Sequence, residues 1–292
     1  MIFTALLGNP VEHSISNYLF AEYAKITGIE YAHLKLRVPK EEELPIYMNS
    51  LRQIKCSGLN ITLPYKLSVI KYLDEQDKRA QAIGAVNTVT MSGNRLVGYN
   101  TDGIGAYQAI EKNLRPINNK DRIIVLGSGG AARAIIYEIY QHTDHITILG
   151  IDQDKLKKLA DDFFDVHKER LKVGLLNDDR LFECLLTTDF IINATSIGMY
   201  PKSDESLISN ELILQLERER NLQNLFAFDA VFNPHNTKML KTLKQRGANI
   251  CSGLWMMIYQ AVEAFRLWTG QDISNAPFED INSKLIEVLK KY

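Results

Sequence analysis

The sequence has no basic surplus: 34 Lys and Arg stand against 35 Asp and Glu in 292 residues, a formal net charge of -1. Without such a surplus there is no electrostatic case for nucleic acid or an anionic membrane as partner. Cysteine is scarce. Cys56, Cys184 and Cys251 are widely scattered, an odd set with no C-x-x-C, which argues against a disulfide framework or zinc site and predicts reduced thiols in a cytoplasmic setting. The histidines at 13, 33, 142, 145, 167 and 235 show no metal-ligand spacing on one helical face, so no metal is assigned. No segment approaches ~18 uninterrupted apolar residues, and no membrane-spanning helix is expected. The N-terminal MIFTALLGNPVEHS is apolar only briefly and lacks a basic n-region, so it reads as a first strand and not as a signal peptide. Internal repeats and low-complexity tracts are also missing.

What is present is an ordinary globular composition, 46% apolar and 24% charged, in a chain long enough for two domains. The expected partner is a small molecule, and the expected state is a monomer or homodimer. The first hundred residues alternate strand and helix patterns: strand IFTALLG, helix 16–27 closed by Gly28, strand YAHLKLRV, helix 40–53, strand GLNITLP, and helices over 66–77 and 78–85. Two further strands flank a Ser-Gly-Asn turn in AVNTVTMSGNRLVGYN. A polar linker is expected at Arg115–Asp121. Beyond it, RIIVLG, HITILGID, DFIINATSIGM and LFAFDAVFNP read as strands of a second sheet. Helices follow at DKLKKLADDF, at 236–246 and at WMMIYQAVEAFRLWTG. This alternation predicts an α/β fold with mostly parallel sheets.

GLNITLPYK, Gly58 to Lys66, is the most informative run. Leu59, Ile61 and Leu63 alternate with Asn60 and Thr62, predicting a short strand with one buried and one polar face. Pro64 has no amide proton and ends the ladder. Lys66 then falls on the expected first turn of a helix, KLSVIKYLDEQ, as either a surface charge or an active-site cation.

A dinucleotide site is read at residues 127–132, Gly-Ser-Gly-Gly-Ala-Ala, which follow a buried strand and open a helix. Gly127 makes the tight turn, Gly129 admits a pyrophosphate close to the backbone, and Ala132 stands for the third glycine. The pyrophosphate would sit at the helix N-terminus. The second strand ends in Asp152, twenty-five residues beyond Gly127. An acid there would accept from a ribose 2′-OH and repel a 2′-phosphate, so the cofactor is expected to be NAD(P), with NAD favoured over NADP. Lys155, Lys157 and Lys158 lie nearby and read as a solvated helix face.

Other polar clusters end strands or open helices. Ser14 and Ser16 could bind a carboxylate, or Ser16 alone could cap a helix. Asn87 lies in AIGAVNTV. In GYNTDGIG either Thr101 or Asp102 could cap a helix. Gln260 sits on the last long helical run, facing either solvent or a site.

GNPVEHSIS, GLNITLPYK, IGAVNT, GYNTDGIG, GSGGAARA, NATSIGM and SGL followed by QAVEAFRLWTG, in this order over nearly the whole chain, resemble the shikimate dehydrogenase family. The resemblance implies a substrate-binding domain, residues 1–102 plus 253–292, and a Rossmann cofactor-binding domain, residues 103–252, with the C-terminal helices returning to the first domain. It implies reversible reduction of 3-dehydroshikimate to shikimate. Carried over, Ser14 and Ser16 would hold the substrate carboxylate. Asn60, Thr62, Asn87 and Gln260 would bind ring hydroxyls, and Lys66 and Asp102 would form the catalytic pair. The cofactor set would be Gly127, Ser128, Gly129, Gly130, Ala131, Asp152, Thr195 and Gly253. Hydride delivery leaves a developing alkoxide that needs a proton and a cation nearby; whether Lys66 transfers the proton or mainly orients and stabilises stays open.

The chain departs from the family pattern in four places. Asn17 replaces a proline after Ser16. Gly150-Ile151-Asp152 replaces Asn-Arg-Thr, which serves a 2′-phosphate. Phe232 replaces a tyrosine, and Trp255 replaces a glycine where the nicotinamide is expected. The alternatives are an NAD-dependent quinate/shikimate dehydrogenase, a non-catalytic nucleotide-binding relative and, more distantly, a methylenetetrahydrofolate dehydrogenase. Intact Lys66 and Asp102 argue against the second. The double serine and the SGL…Q helix argue against the third.

Overall fold

A computed structural model describes residues 1–92, 95–167 and 171–291; the expected Ser-Gly-Asn turn falls on residues 92–94 and lies largely outside them. The chain divides into two compact units, Met1–Asp102 with Ile258–Tyr292, and Gly103–Met257.

The first unit runs β1 (Ile2–Gly8), α1 (Ser16–Thr27), β2 (Tyr31–Arg37), α2 (Leu44–Gln53), β3 (Gly58–Ile61), β4 (Glu75–Gln76), α3 (Lys78–Ile83), β5 (Thr88–Ser92) and β6 (Arg95–Tyr99), and ends as α4 (Asp102–Asn113) begins. Its sheet has the order β2-β1-β3-β5-β6-β4. β1 is parallel to β2 and β3, and β4 is parallel to β6; β5 is antiparallel to both its neighbours. One core gathers Ala5, Leu7, Leu59, Ile61 and Val89 with Leu44, Met48 and Leu51 of α2. The Trp268 indole donates to the Val89 carbonyl at 3.0 Å. A Cβ on Gly58 would come within 2.1 Å of that indole nitrogen, so the opening position of β3 admits only glycine.

In the second unit β7 (Arg122–Leu126), α5 (Gly130–Ile139), β8 (His145–Gly150), α6 (Gln153–His167), β9 (Leu171–Leu175), α7 (Asp178–Leu185), β10 (Phe190–Asn193), α8 (Asn210–Glu219), β11 (Phe226–Asp229), α9 (Lys238–Gln245) and β12 (Asn249–Ser252) alternate. The sheet order is β12-β11-β10-β7-β8-β9, parallel throughout. This is the doubly wound dinucleotide-binding order. α10 (Gly253–Thr269) and α11 (Phe278–Leu289) close the chain, and the division between the units falls inside α10. Among the described residues no helix is long and apolar enough to cross a membrane.

Three local expectations are corrected. β3 has no exposed polar face: all four of its residues are buried, because it lies inside the sheet between β1 and β5. Residues 66–77 do not form one helix. A short 3-10 turn covers Ser68–Tyr72, after which the chain becomes extended and pairs with β6. The Asp74 and Asp77 amides donate to the Leu96 and Gly98 carbonyls, and the Asp74 carboxylate accepts from the Leu96 amide at 2.7 Å. These sheet-type bonds replace the i→i−4 ladder that the apolar spacing suggested. The Arg115–Asp121 segment, expected as a polar linker, lies inside the second unit, Gly103–Met257. Its two ends form a two-pronged ion pair at 2.7 and 2.9 Å, and the Arg115 guanidinium lies over the Phe190 and Phe226 rings at 4.6 and 4.5 Å. β9, α7 and α8 have no counterpart among the expected elements.

Candidate active site

The polar residues of the first unit are brought together where β3 and β6 end and β5 begins. β3 holds Asn60 at 6% exposure, and the chain then turns through Thr62 and Pro64. The Tyr65 hydroxyl donates to the Val38 carbonyl at 2.7 Å, and the Val86 amide donates to the Lys66 carbonyl at 2.7 Å. Pinned on both sides, Lys66 reaches Asp102, the first residue of α4. The two form an ion pair at 2.6 Å with side chains 15% and 6% exposed.

Asn87 is the hub of the cluster. Its Nδ2 donates to Asp102 Oδ1 at 2.9 Å, to Thr101 Oγ1 at 2.9 Å and to Gln260 Oε1 at 3.3 Å. Its Oδ1 accepts from the Thr101 amide at 2.8 Å and from Thr88 Oγ1 at 3.0 Å. The Asn100 side chain accepts from the Asp102 amide at 3.1 Å and donates to the Ala85 carbonyl at 2.9 Å. Thus Lys66, Asp102, Asn87, Gln260 and Asn60 share one hydrogen-bonded network. Each Asp102 carboxylate oxygen has its own donor, Asn87 on one side and Lys66 on the other.

Ser14 and Ser16 form a separate pair. The Ser14 hydroxyl donates to Ser16 Oγ at 3.0 Å and accepts from the Ser16 amide at 3.3 Å. Ser16 does not cap α1, since Ile15 holds that position. Lys35 of β2 donates to the Glu12 and Ser14 carbonyls at 3.0 and 2.9 Å and so sets the loop that carries the serines. Thr62 is fixed through its amide, which donates to the Leu7 carbonyl. A Cβ on Gly8 would meet the Thr62 methyl at 2.3 Å. Sequence reasoning passed over Thr88 and Lys35. The available signal for Thr88 was a threonine directly after Asn87 at the opening of a strand, TVTMS.

In the second unit β7 ends in the glycine turn. Gly127 has φ +115°, a conformation that favours glycine, and a Cβ there would meet Thr195 Cγ2 and the Ala194 carbonyl at about 3 Å. A Cβ on Gly129 would meet nothing within 4 Å. That opening, ahead of the α5 N-terminus at Gly130, fits the close approach of a pyrophosphate. Thr195 is held from below: its hydroxyl donates to Asn193 Oδ1 at 2.7 Å, and Asn193 Nδ2 donates to Asp229 Oδ1 at 2.9 Å. Asp229 is fully buried. It also accepts from the Thr237 hydroxyl at 2.6 Å and the Val231 amide at 3.0 Å, yet burial still pushes its carboxyl up to about 6. Gly253 opens α10, and a Cβ there would meet the Ala230 carbonyl at 2.3 Å. Trp255 is buried and Phe232 partly so.

Asp152 is half-buried directly before α6, and its carboxylate is already engaged. Oδ1 accepts from the Lys155 amide at 3.0 Å, and Oδ2 pairs with Lys155 Nζ at 2.9 Å. The Lys155 ammonium and amide hold its carboxyl below the usual range.

A family model described as the shikimate dehydrogenase substrate-binding domain matches residues 6–89. One described as shikimate/quinate 5-dehydrogenase matches residues 109–246, and one for the shikimate 5′-dehydrogenase C-terminal domain matches residues 253–279. The shikimate dehydrogenase (NADP(+)) of Methanocaldococcus jannaschii is 38% identical over 269 residues, 91% of this chain and 90% of its own. A crystal structure of a shikimate dehydrogenase in complex with NADP+ superposes with a TM-score of 0.87 at 34% identity, covering 99% of this chain and 96% of that one. The Listeria monocytogenes shikimate 5-dehydrogenase in complex with shikimate and NAD gives 0.83 at 26% identity, covering 98% and 96%.

These findings overturn the expected preference for NAD over NADP. The curated relatives are named for NADP(+), and NADP+ is bound in the first of the two structures. The physical reason lies at Asp152. The charge argument assumed a bare carboxylate facing the ribose, but that carboxylate caps α6 and is neutralised by Lys155, so it does not present an unbalanced negative charge to a 2′-phosphate.

Proposed function

Because the chain belongs to the shikimate dehydrogenase family, we propose that it catalyses the reversible reduction of 3-dehydroshikimate to shikimate with NADPH. The observation that carries this reading is the Lys66–Asp102 pair at 2.6 Å, joined through Asn87 to Asn60 and Gln260. The first unit is the substrate-binding part in this reading, and the second binds the cofactor.

Gly127–Ala131, Thr195 and Gly253 would hold the reduced nicotinamide cofactor, which would supply a hydride to the carbonyl carbon. As the carbon–oxygen π electrons move onto oxygen, the developing alkoxide is stabilised by the Lys66 ammonium, which is also its proton source. The resulting amine regains a proton from water. Asp102 orients Lys66 through one oxygen and is itself held by Asn87 through the other. Ser14 and Ser16 offer hydroxyls to the substrate carboxylate; Thr62 and Gln260 address ring hydroxyls. In the oxidative direction the same groups work in reverse, with Lys66 taking the hydroxyl proton.

The 2′-phosphate of NADPH would meet the α6 start, where the Asp152–Lys155 pair carries no net charge and stands in place of the Asn-Arg-Thr run. No observation favours quinate: the curated relatives are named for shikimate. Initial rates with shikimate and quinate, each with NADP+ and NAD+, test the reading. Turnover of shikimate with NADP+ is expected; no turnover of shikimate by folded protein would sink it.

A further inference from the structure

The hydrogen bonds around Asn60 leave its amide only one orientation. Asn60 Nδ2 lies 3.3 Å from the Asn87 backbone carbonyl and 3.3 Å from Thr88 Oγ1. A backbone carbonyl can only accept, so the nitrogen and not the oxygen of the Asn60 side chain must face it. Thr88, fully buried on β5, has its own direction set as well. It donates to Asn87 Oδ1 at 3.0 Å, and that oxygen is fixed in place because the Thr101 amide also donates to it and Asn87 Nδ2 is committed to the Asp102 carboxylate. With its proton given to Asn87, Thr88 Oγ1 is left to accept from Asn60. Both acceptors of Asn60 Nδ2 therefore lie inside the protein, and Asn60 Oδ1 has no partner among the described residues. The Asn87 backbone carbonyl and the adjacent Thr88 hydroxyl thus convert an ambidextrous amide into a fixed acceptor.

We propose that Thr88 is a positioning residue that, with the Asn87 backbone carbonyl, locks Asn60 so that only its oxygen is offered to the substrate, making this point of the site selective for a ring hydroxyl able to donate. The inference rests on the reading of this cluster as the shikimate site. The oxygen at the reacting carbon is a carbonyl in one direction and cannot donate, and two facing oxygens would repel. The hydroxyl that Asn60 accepts from is therefore one that survives the reaction unchanged. A carbonyl or a methyl ether at that ring position leaves Oδ1 without its proton and is rejected.

The test measures equilibrium binding of shikimate, 4-deoxyshikimate and 5-deoxyshikimate by calorimetry to the wild type, Thr88→Val and Thr88→Ser, with NADP+ binding and the melting temperature recorded for each. In the wild type one of the two deoxy compounds is expected to bind about tenfold more weakly than shikimate, the scale of one hydrogen bond. In Thr88→Val the Asn60 amide keeps only the Asn87 carbonyl as a partner, its hold on the Oδ1 direction loosens, and that same penalty should shrink to about threefold. Shikimate itself should bind more weakly, NADP+ binding should hold, and Thr88→Ser should restore the wild-type pattern. If Thr88→Val weakens shikimate and both deoxy compounds by one common factor, Thr88 merely supports the fold and the inference fails while the shikimate reading stands. If the wild type binds shikimate no better than either deoxy compound, the acceptor contact does not exist. If folded wild type binds none of the three, the functional reading fails and the inference falls with it.

Discussion

Asp102 stands between Lys66 and Asn87, with Oδ2 at 2.6 Å from the Lys66 ammonium and Oδ1 at 2.9 Å from the Asn87 amide nitrogen. The carboxylate is 6% exposed, so its charge is satisfied by two named donors in place of bulk water. The lysine is aimed by a group that is itself aimed.

Replacing Lys66 tests the chemistry directly. Lys66→Ala is expected to lower kcat by about 10²-fold or more, the scale of a lost general acid, with a modest change in KM for shikimate. Steady-state rates in both directions check it; near-normal kcat would mean that another group handles the proton.

Asp102→Asn should retain a hydrogen bond at this position but remove the counter-ion of Lys66. The expected result is a fall in kcat of at least about tenfold, since the ammonium loses both its orientation and its partner. Single-turnover hydride transfer is the measurement, and an unchanged rate would make Asp102 a structural cap of α4 and no more.

At the α6 start, asparagine is as good a helix cap as aspartate, so Asp152→Asn should leave stability nearly unchanged. With the carboxylate gone and Lys155 released, NADP+ affinity should rise while NAD+ affinity changes little. Lys155→Ala should lower NADP+ affinity by about fivefold or less, as expected for one exposed charge. Fluorescence titration with both nucleotides decides; a large loss of NAD+ binding in Asp152→Asn would return Asp152 to the ribose.

Asp229 predicts a pH effect on stability. Its carboxyl is pushed from 3.8 up to about 6 in the folded protein by burial. Between these values the folded state holds a proton that the unfolded state has released. Its contribution is therefore fully present below about pH 3.8 and lost as pH rises through about 6, by at most about 3 kcal/mol. The difference in unfolding free energy between wild type and Asp229→Asn, followed by urea melts from pH 4 to 8, should shift against the wild type as pH rises. A flat difference would mean that the carboxyl titrates at its ordinary value.

Much of the architecture was legible because it depends on local pattern. The run RIIVLGSGGAARA marks a buried strand, a tight turn and a helix by periodicity and by glycine alone. α1 ends at Gly28, whose φ of +70° closes it as its position suggested. β9, α7 and α8 escaped notice because short strands and strongly polar amphipathic helices carry weaker patterns than buried ones. KLSVIKYLDEQ misled because apolar spacing does not register a competing strand: β6 offers hydrogen bonds from outside the segment.

The sequence by itself determined the family, the alternating α/β order, the glycine turn and the chemical types at the site. These follow from residue identity and near-neighbour spacing. Only the tertiary structure decided what those residues do to one another. Asp152 reads as a free acid until α6 places Lys155 on it. Asn60 reads as a polar face until burial between β1 and β5 forces its amide to find partners inside. Whether an amide donates or accepts is set by whatever surrounds it, and for Asn60 that is Asn87 and Thr88 at the opening of β5, 27 and 28 residues further along the chain.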